Sequence, residues 1–143
     1  VGLTASHPRG HVVRAILEGV AFSLKDTFTL FAEMGTPVHK IRLGGGGARS
    51  PLWRQVQADV YGHEVETVAA EEGAAYGAAI LAAVGAGRWP SVDAACAEVV
   101  RVERVIAPQP EAAALLGEQY QAYRRLYPAL SQVFVFPNTG EKP

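Results

Sequence analysis

The sequence predicts an α/β fold, helices layered on a small parallel sheet, and three observations carry that reading. Apolar residues between His11 and Met34 recur three or four apart. Short β-branched runs at Val38 to Leu43 and Val65 to Val68 alternate with helical segments, and Gly44-Gly45-Gly46-Gly47 joins the first run to a helix start. With 143 residues, 49% of them hydrophobic and 19% charged, the chain has enough apolar content to build the core of one ordinary domain. A formal net charge of -1 argues against a nucleic-acid surface. The small-apolar run from Gly73 to Gly87 is too short and too rich in glycine to cross a bilayer, so no membrane partner is expected. Cys96, the single cysteine, has no internal disulfide partner, which points to a reducing, cytoplasmic setting. Val1 to Gly10 has neither the basic leader nor the apolar block of a signal peptide, and it lacks a methionine, so the chain reads as a piece of something longer.

Each element follows from local chemistry. Val13, Ile16, Leu17, Val20, Leu24, Phe28 and Phe31 place one apolar stripe on a long amphipathic helix, which Gly35 caps and Pro37 keeps from resuming. Val38 to Leu43 reads as a strand running into a tight loop. Ser50 offers an N-cap oxygen and Pro51 sits where a missing amide is harmless, so a helix runs from Pro51 to Tyr61, where Gly62 stops it. Val65, Thr67 and Val68 mark a second strand. Glu71 and Glu72 then favour the positive end of a helix from Gly73 to Val84. Its alanines, with Gly73 and Gly77, predict close backbone packing, so that Gly77→Leu would overpack. Ser91 caps a shorter helix to Val100, and Val102 to Pro110 has a less definite character. A terminal helix from Glu111 carries Leu115, Leu116, Tyr120, Tyr123, Leu126 and Tyr127 at helical spacing until Pro128 kinks or ends it. Residues 1–137 are expected to form the domain and 138–143 a frayed tail. Two strands make an incomplete sheet, and its other strands are expected in sequence outside this chain.

The segment from Ile41 to Trp53 carries the chemistry. Glycines let backbone amides approach a ligand, a helix N-terminus adds partial positive charge, and the Arg49 guanidinium can lie on an aromatic base. A nucleotide fits these features. A ligand-free strand-to-helix turn fits the local geometry as well, but it seldom needs four consecutive glycines. The segment is not a Walker loop, because no Gly-Lys-Ser/Thr follows, and Arg49 stands where the third glycine of a dinucleotide fingerprint belongs. His7 and His11 are four apart, but Pro8 and Gly10 intervene and no third ligand matches. His39 and His63 are isolated in sequence, and all four read as solvated or capping histidines. Glu71 and Glu72 are adjacent and do not face each other on a helix. Cys96 reads as packing. No nucleophile, general base or metal cluster stands out.

Gly2-Leu3, seven further residues and then His11-Val12-Val13-Arg14-Ala15-Ile16-Leu17-Glu18 resembles the second signature of the FGGY carbohydrate kinases. Glu18-Gly19-Val20-Ala21-Phe22, the Gly44 to Trp53 loop, Gln55 with Ala58-Asp59, and Glu71 to Ala79 are similar to the carboxy-terminal part of the xylulokinases in that family. The resemblance covers roughly residues 2 to 130. It implies the back part of an actin-like ATPase domain of ribonuclease H-like type, helix-rich with few strands and incomplete without an upstream half. It also implies an activity, transfer of the ATP γ-phosphoryl to D-xylulose to give the 5-phosphate. Gly45, Gly46 and Gly47 would approach the nucleotide with backbone, Arg49 and Ser50 would border adenine and ribose, and Ala48 completes the implied nucleotide-binding set. The catalytic aspartate of the family has no counterpart here, since Asp26, Asp59 and Asp93 lie outside such a motif. The sugar-binding residues and the carboxylates for Mg2+ are expected upstream. The implied partners are ATP, the sugar, the amino-terminal kinase half and a second copy in a homodimer. The chain alone is expected to be inactive, and activity would turn attention to Glu18, Asp26 and Asp59 as bases. Rival readings are a kinase for glycerol or ribulose, an actin-like ATPase that drives a conformational change, and a docking module without a ligand.

Overall fold

The computed structural model describes residues 1–69 and 73–133. The first apolar stripe folds as helix α1, Arg9–Glu33, and of its residues only Ala21 and Phe22 are fully buried. Val13, Ile16, Val20 and Phe31 stay exposed. Strand β1 is Ile41–Leu43, shorter than expected, because only these residues find partners in β2, Val65–Val68. Between the two strands lies α2, Pro51–Tyr61, with the expected bounds. The Ser50 hydroxyl accepts from the Trp53 amide at 3.3 Å, and Gly62 ends the helix in a left-handed conformation with φ at 69°.

Helix α3, Gly73–Gly85, is followed by α4, Val92–Val99, whose N-cap Ser91 accepts from the Ala94 amide at 3.1 Å. Then come β3, Val102–Ile106, and α5, Pro110–Leu130. The sheet has the order β1-β2-β3, with β1 parallel and β3 antiparallel to β2. The expected two-stranded parallel sheet is therefore a mixed one of three strands. Strand β3 escaped the sequence pattern because four of its five residues are exposed, so no alternation marks it. Pro128 lies inside the last turn of α5, and the helix closes two residues later at Leu130. Its missing amide forfeits one bond, to the Arg124 carbonyl, close enough to the end that the helix runs only two residues further. Glu71 and Glu72, and the tail at 138–143, lie outside the described residues.

The core gathers around α2. Val56, Ala58, Val60 and Tyr61 pack with Ala21 and Phe22 of α1, Leu43 and Val65 of the sheet, and Leu116 and Tyr120 of α5. Full burial of side chains such as Val56, Val60 and Val65 contributes about 1.5–3 kcal/mol each. The polar side chains that α2 carries into this core, Gln57 and Asp59, are paired. Tyr61 donates to Gln57 Oε1 at 3.0 Å, and Asp59 Oδ1 accepts from Gln55 Nε2 and from the Gln109 amide, both at 2.8 Å. Asp59 thus fastens α2 to the start of α5. At the same carboxy-terminal end of α2, Lys25 of α1 donates to the Val60 carbonyl at 2.6 Å, and burial pushes its ammonium below the ordinary lysine range.

Helix α3 corrects an expectation. Only Ile80 is buried, Tyr76 donates to the Val99 carbonyl at 2.8 Å, and a Cβ added at Gly73 or Gly77 would meet nothing within 4 Å. Among the described residues nothing packs closely on Gly73 or Gly77, so they give no basis for overpacking by Gly77→Leu. The helix leans on α4, and its alanine-rich faces are largely open.

Asp59→Ala removes the acceptor shared by the half-buried Gln55 side chain and the Gln109 amide and should cost about 1.5–3 kcal/mol in urea denaturation; an unchanged midpoint would show that the carboxylate is not a fastening. Burial pushes the Tyr61 phenol up to about 12, above its unfolded value of about 10. The folded state therefore favours the neutral phenol, and its stabilising contribution is full below about pH 10 and is lost as pH rises through about 12. Tyr61→Phe should remove that share of the alkaline loss, read as a smaller stability difference between about pH 9 and about pH 11.5.

Candidate functional site

After β1 the chain enters the four glycines, which are not equivalent. Gly45 has φ at +74°, a region that disfavours any side chain. A 3-10 turn over Gly46–Arg49 follows, closed by Ala48 N to Gly45 O and Ser50 N to Gly47 O, both 3.1 Å. A Cβ at Gly47 would stand 3.2 Å from Trp53 Cδ1 and 3.3 Å from its Nε1, so a side chain there would press on the indole, which would have to give by a few tenths of an ångström. Gly44 and Gly46 are different. Neither has a positive φ, and a Cβ on either would meet nothing within 4 Å. Arg54 holds the turn, its Nη1 donating to the Ala48 carbonyl at 2.8 Å and the Arg49 carbonyl at 3.4 Å.

Gly44 and Gly46 border a cleft of about 570 Å³ at the carboxy-terminal ends of the parallel pair β1 and β2. Parallel α/β sheets take their ligands at that end. Of the six residues expected from sequence, Gly45, Gly46, Ala48 and Arg49 line this cleft. Gly47 backs onto Trp53, and the Ser50 hydroxyl is engaged as the cap of α2. Residues that sequence reasoning did not single out complete the walls, namely Arg54 of α2, Thr67 of β2, and Glu103 and Arg104 of β3. Three arginines against one glutamate, with the positive end of α2 beside them, give the cleft a cationic character suited to an anionic ligand.

The carboxylates weighed as bases are placed elsewhere. Glu18 pairs with Arg14 at 2.6 Å, Asp26 accepts from the Tyr120 hydroxyl at 2.5 Å, and Asp59 is the fastening described above. None of them lines the cleft. His7 acts locally, its Nδ1 accepting from the Thr4 amide at 3.1 Å. His39 and His63, isolated in sequence, share a small cleft of about 210 Å³ with Glu64 at the other end of the sheet. Among the described residues no group of three or more His, Cys, Asp or Glu is placed to hold a metal ion. A wider groove of about 740 Å³ runs between α1 and α5. It is mainly apolar and receives neither the glycine loop nor a helix N-terminus, so the smaller cleft is the better candidate. No helix among the described residues is long and apolar enough to cross a membrane.

Residues 1–86 match the FGGY family of carbohydrate kinases, C-terminal domain. The chain belongs to that family. As an FGGY chain it is 35% identical over 127 residues to a xylulose kinase of Bacillus subtilis, covering 89% of this chain and 26% of that protein. The crystal structure of a xylulose kinase from Rhodospirillum rubrum superposes with a TM-score of 0.81 at 34% identity, covering 93% of this chain and 27% of that one. A Plasmodium falciparum glycerol kinase crystallised with ADP gives 0.71 at 25% identity, over 95% of this chain and 26% of that one. The FGGY chain therefore spans about a quarter of the length of these relatives. Its fold, helix-rich with a small sheet, is part of the actin-like ATPase fold.

Ser50→Ala removes the acceptor for the Trp53 amide at the start of α2 and should lower stability by about 1 kcal/mol. Thermal melting checks this, and a melt identical to the parent would mean that Pro51 and the loop set the helix start without the cap.

Proposed function

We infer that this chain forms the adenosine side of the ATP site in a kinase that phosphorylates the primary hydroxyl of D-xylulose. The observation that carries the reading is the pair Gly44 and Gly46, which border the cleft although nothing among the described residues requires glycine at either place. A ligand that must lie against the backbone supplies the missing reason. On this reading Gly45, Gly46 and Gly47 present backbone to the nucleotide, Arg49 covers the base, and Ala48 and Ser50 border the ribose. Residues 1–137 act together in that role, with 138–143 as a tail.

Phosphoryl transfer depends on positioning and charge stabilisation more than on covalent work by the protein. The part played by this chain is to fix the nucleotide, through a loop clamped by Arg54 and seated on the buried helix α2. Magnesium, when bound, neutralises phosphate charge. On this reading its carboxylates, like the base that takes the sugar proton, belong to the remainder of the kinase. The chain alone is then inactive and binds ATP weakly, because it supplies one wall of the cleft. The proposed setting is the cytoplasm, where ATP is present and Cys96 stays reduced.

Xylulose is favoured as acceptor by the likeness to xylulose kinases at 35% and 34% identity. The glycerol kinase likeness keeps glycerol as the second reading, and a panel of ketoses and polyols given to the complete kinase separates the two. In that kinase Arg49→Ala should raise the KM for ATP about fivefold, on the order of 1 kcal/mol of lost stacking, with the KM for the sugar nearly unchanged. Equal effects on both substrates would remove Arg49 from the nucleotide site.

A further inference from the structure

Arg54 is a costly residue for the place it occupies. It stands in the first turn of α2, half-buried, on the wall of the cleft. Its Nε is shut off from solvent with no hydrogen-bond partner among the described residues, and an unpaired buried N–H is unfavourable. An apolar side chain of similar length would fill the space without that cost. The reason for a guanidinium lies in what its other donors reach. Nη1 donates to the Ala48 carbonyl at 2.8 Å and, more weakly, to the Arg49 carbonyl at 3.4 Å, while the backbone amide of Arg54 donates to the Ser50 carbonyl at 3.1 Å. One residue thus holds the carbonyls of three consecutive residues, Ala48, Arg49 and Ser50. Ala48 and Arg49 end the 3-10 turn, and the end of a helical turn leaves carbonyls without a partner inside it.

The consequence falls on Arg49. A residue's backbone conformation is set by the two peptide planes that flank it, because φ and ψ are its only soft torsions. The plane before Arg49 carries the Ala48 carbonyl and the plane after it carries its own, and Arg54 anchors both. The Cα–Cβ bond of Arg49 is therefore aimed by a side chain of α2. The anchor is itself fixed, since the buried stretch of that helix begins at Val56, just beyond Arg54. A loop side chain without such support samples several directions, and the freedom it loses on meeting a ligand weakens binding.

We propose that Arg54 is a positioning residue of the nucleotide site, acting on the adenosine through Arg49 by fixing both peptide planes around it and making no nucleotide contact of its own. The inference rests on the glycine loop being the adenosine side of that site. A double-mutant cycle in the complete kinase tests it, read as the KM for ATP and as the inhibition constant of adenosine against ATP. Arg54→Met keeps the side-chain stem and the amide bond to Ser50 but removes the side-chain donors. It should weaken ATP and adenosine by the same factor, about threefold, with kcat and the KM for the sugar unchanged. In an Arg49→Ala background the same substitution should have no further effect, because nothing is left to aim. Arg54→Lys, which retains a cationic donor for one carbonyl, should fall between the parent and Arg54→Met. An equal factor in both backgrounds marks a general structural role and overturns the proposal. So does a loss with ATP that adenosine does not share, since that marks a phosphate contact. Melting curves establish that each variant is folded at the assay temperature, and if Arg54→Met is not, Arg54→Lys carries the cycle. Arg49→Ala alone tests the reading beneath. If it leaves ATP untouched, the nucleotide reading itself fails and the positioning with it, whereas a clear effect there with an additive Arg54→Met removes only the positioning.

Discussion

Six consecutive residues of α2, Val56 to Tyr61, are buried, a condition a helix meets only when neighbours cover all its faces. Helices α1 and α5 and the sheet provide that cover, and the hydrophobic core is the set of side chains they turn toward α2. Burial on every side forces polar residues inside as well. Gln57 and Asp59 are accommodated because Tyr61, Gln55 and the Gln109 amide meet them, which fixes the connection leading into α5. Lys25 meets one of the last carbonyls of the same helix. A helix so enclosed cannot shift without disturbing three neighbours, and its first turn is the back wall of the candidate site.

This arrangement divides the glycine loop into parts held by the chain and parts left for something else. Gly45 answers to its own backbone conformation and Gly47 to the Trp53 indole, while Arg54 ties two carbonyls of the turn to α2. What remains is a stretch of side-chain-free backbone at Gly44 and Gly46, presented on a rigid support at the end of two parallel strands. A binding surface of that kind undergoes little rearrangement when a ligand arrives, which lowers the ordering entropy lost on binding.

Much of this was legible in the sequence where punctuation residues set the boundaries. Ser50, Pro51 and Gly62 delimit α2, Ser91 starts α4, and the β-branched run at Val65 marks β2. The glycine run and Arg49 located one side of the cleft for the same reason, since their signal is local. The opposite side was hidden because it is assembled by pairing. Thr67 reads as an ordinary strand residue, and Glu103 and Arg104 as a solvated charge pair, until β3 lies antiparallel to β2 with a bulge between Thr67 and Val68. Helix α3 misled in the other direction. Its alanines and glycines carry the composition of a tightly packed helix, but composition does not reveal whether the packing partner lies within the same chain.

The contact between Gly47 and Trp53 gives the loop a built-in optical reporter. The chain has two tryptophans, and Trp89 sits beyond α3, its indole donating to Glu98 Oε2 at 2.7 Å with the Arg88 guanidinium 5.3 Å from its ring. It lines no part of the cleft. Trp53, by contrast, lies against loop backbone, and any displacement of that backbone changes the polarity around its indole. The emission spectrum of the unmodified protein is thus the sum of a nearly constant background from Trp89 and a component from Trp53 that follows the conformation of the glycine turn.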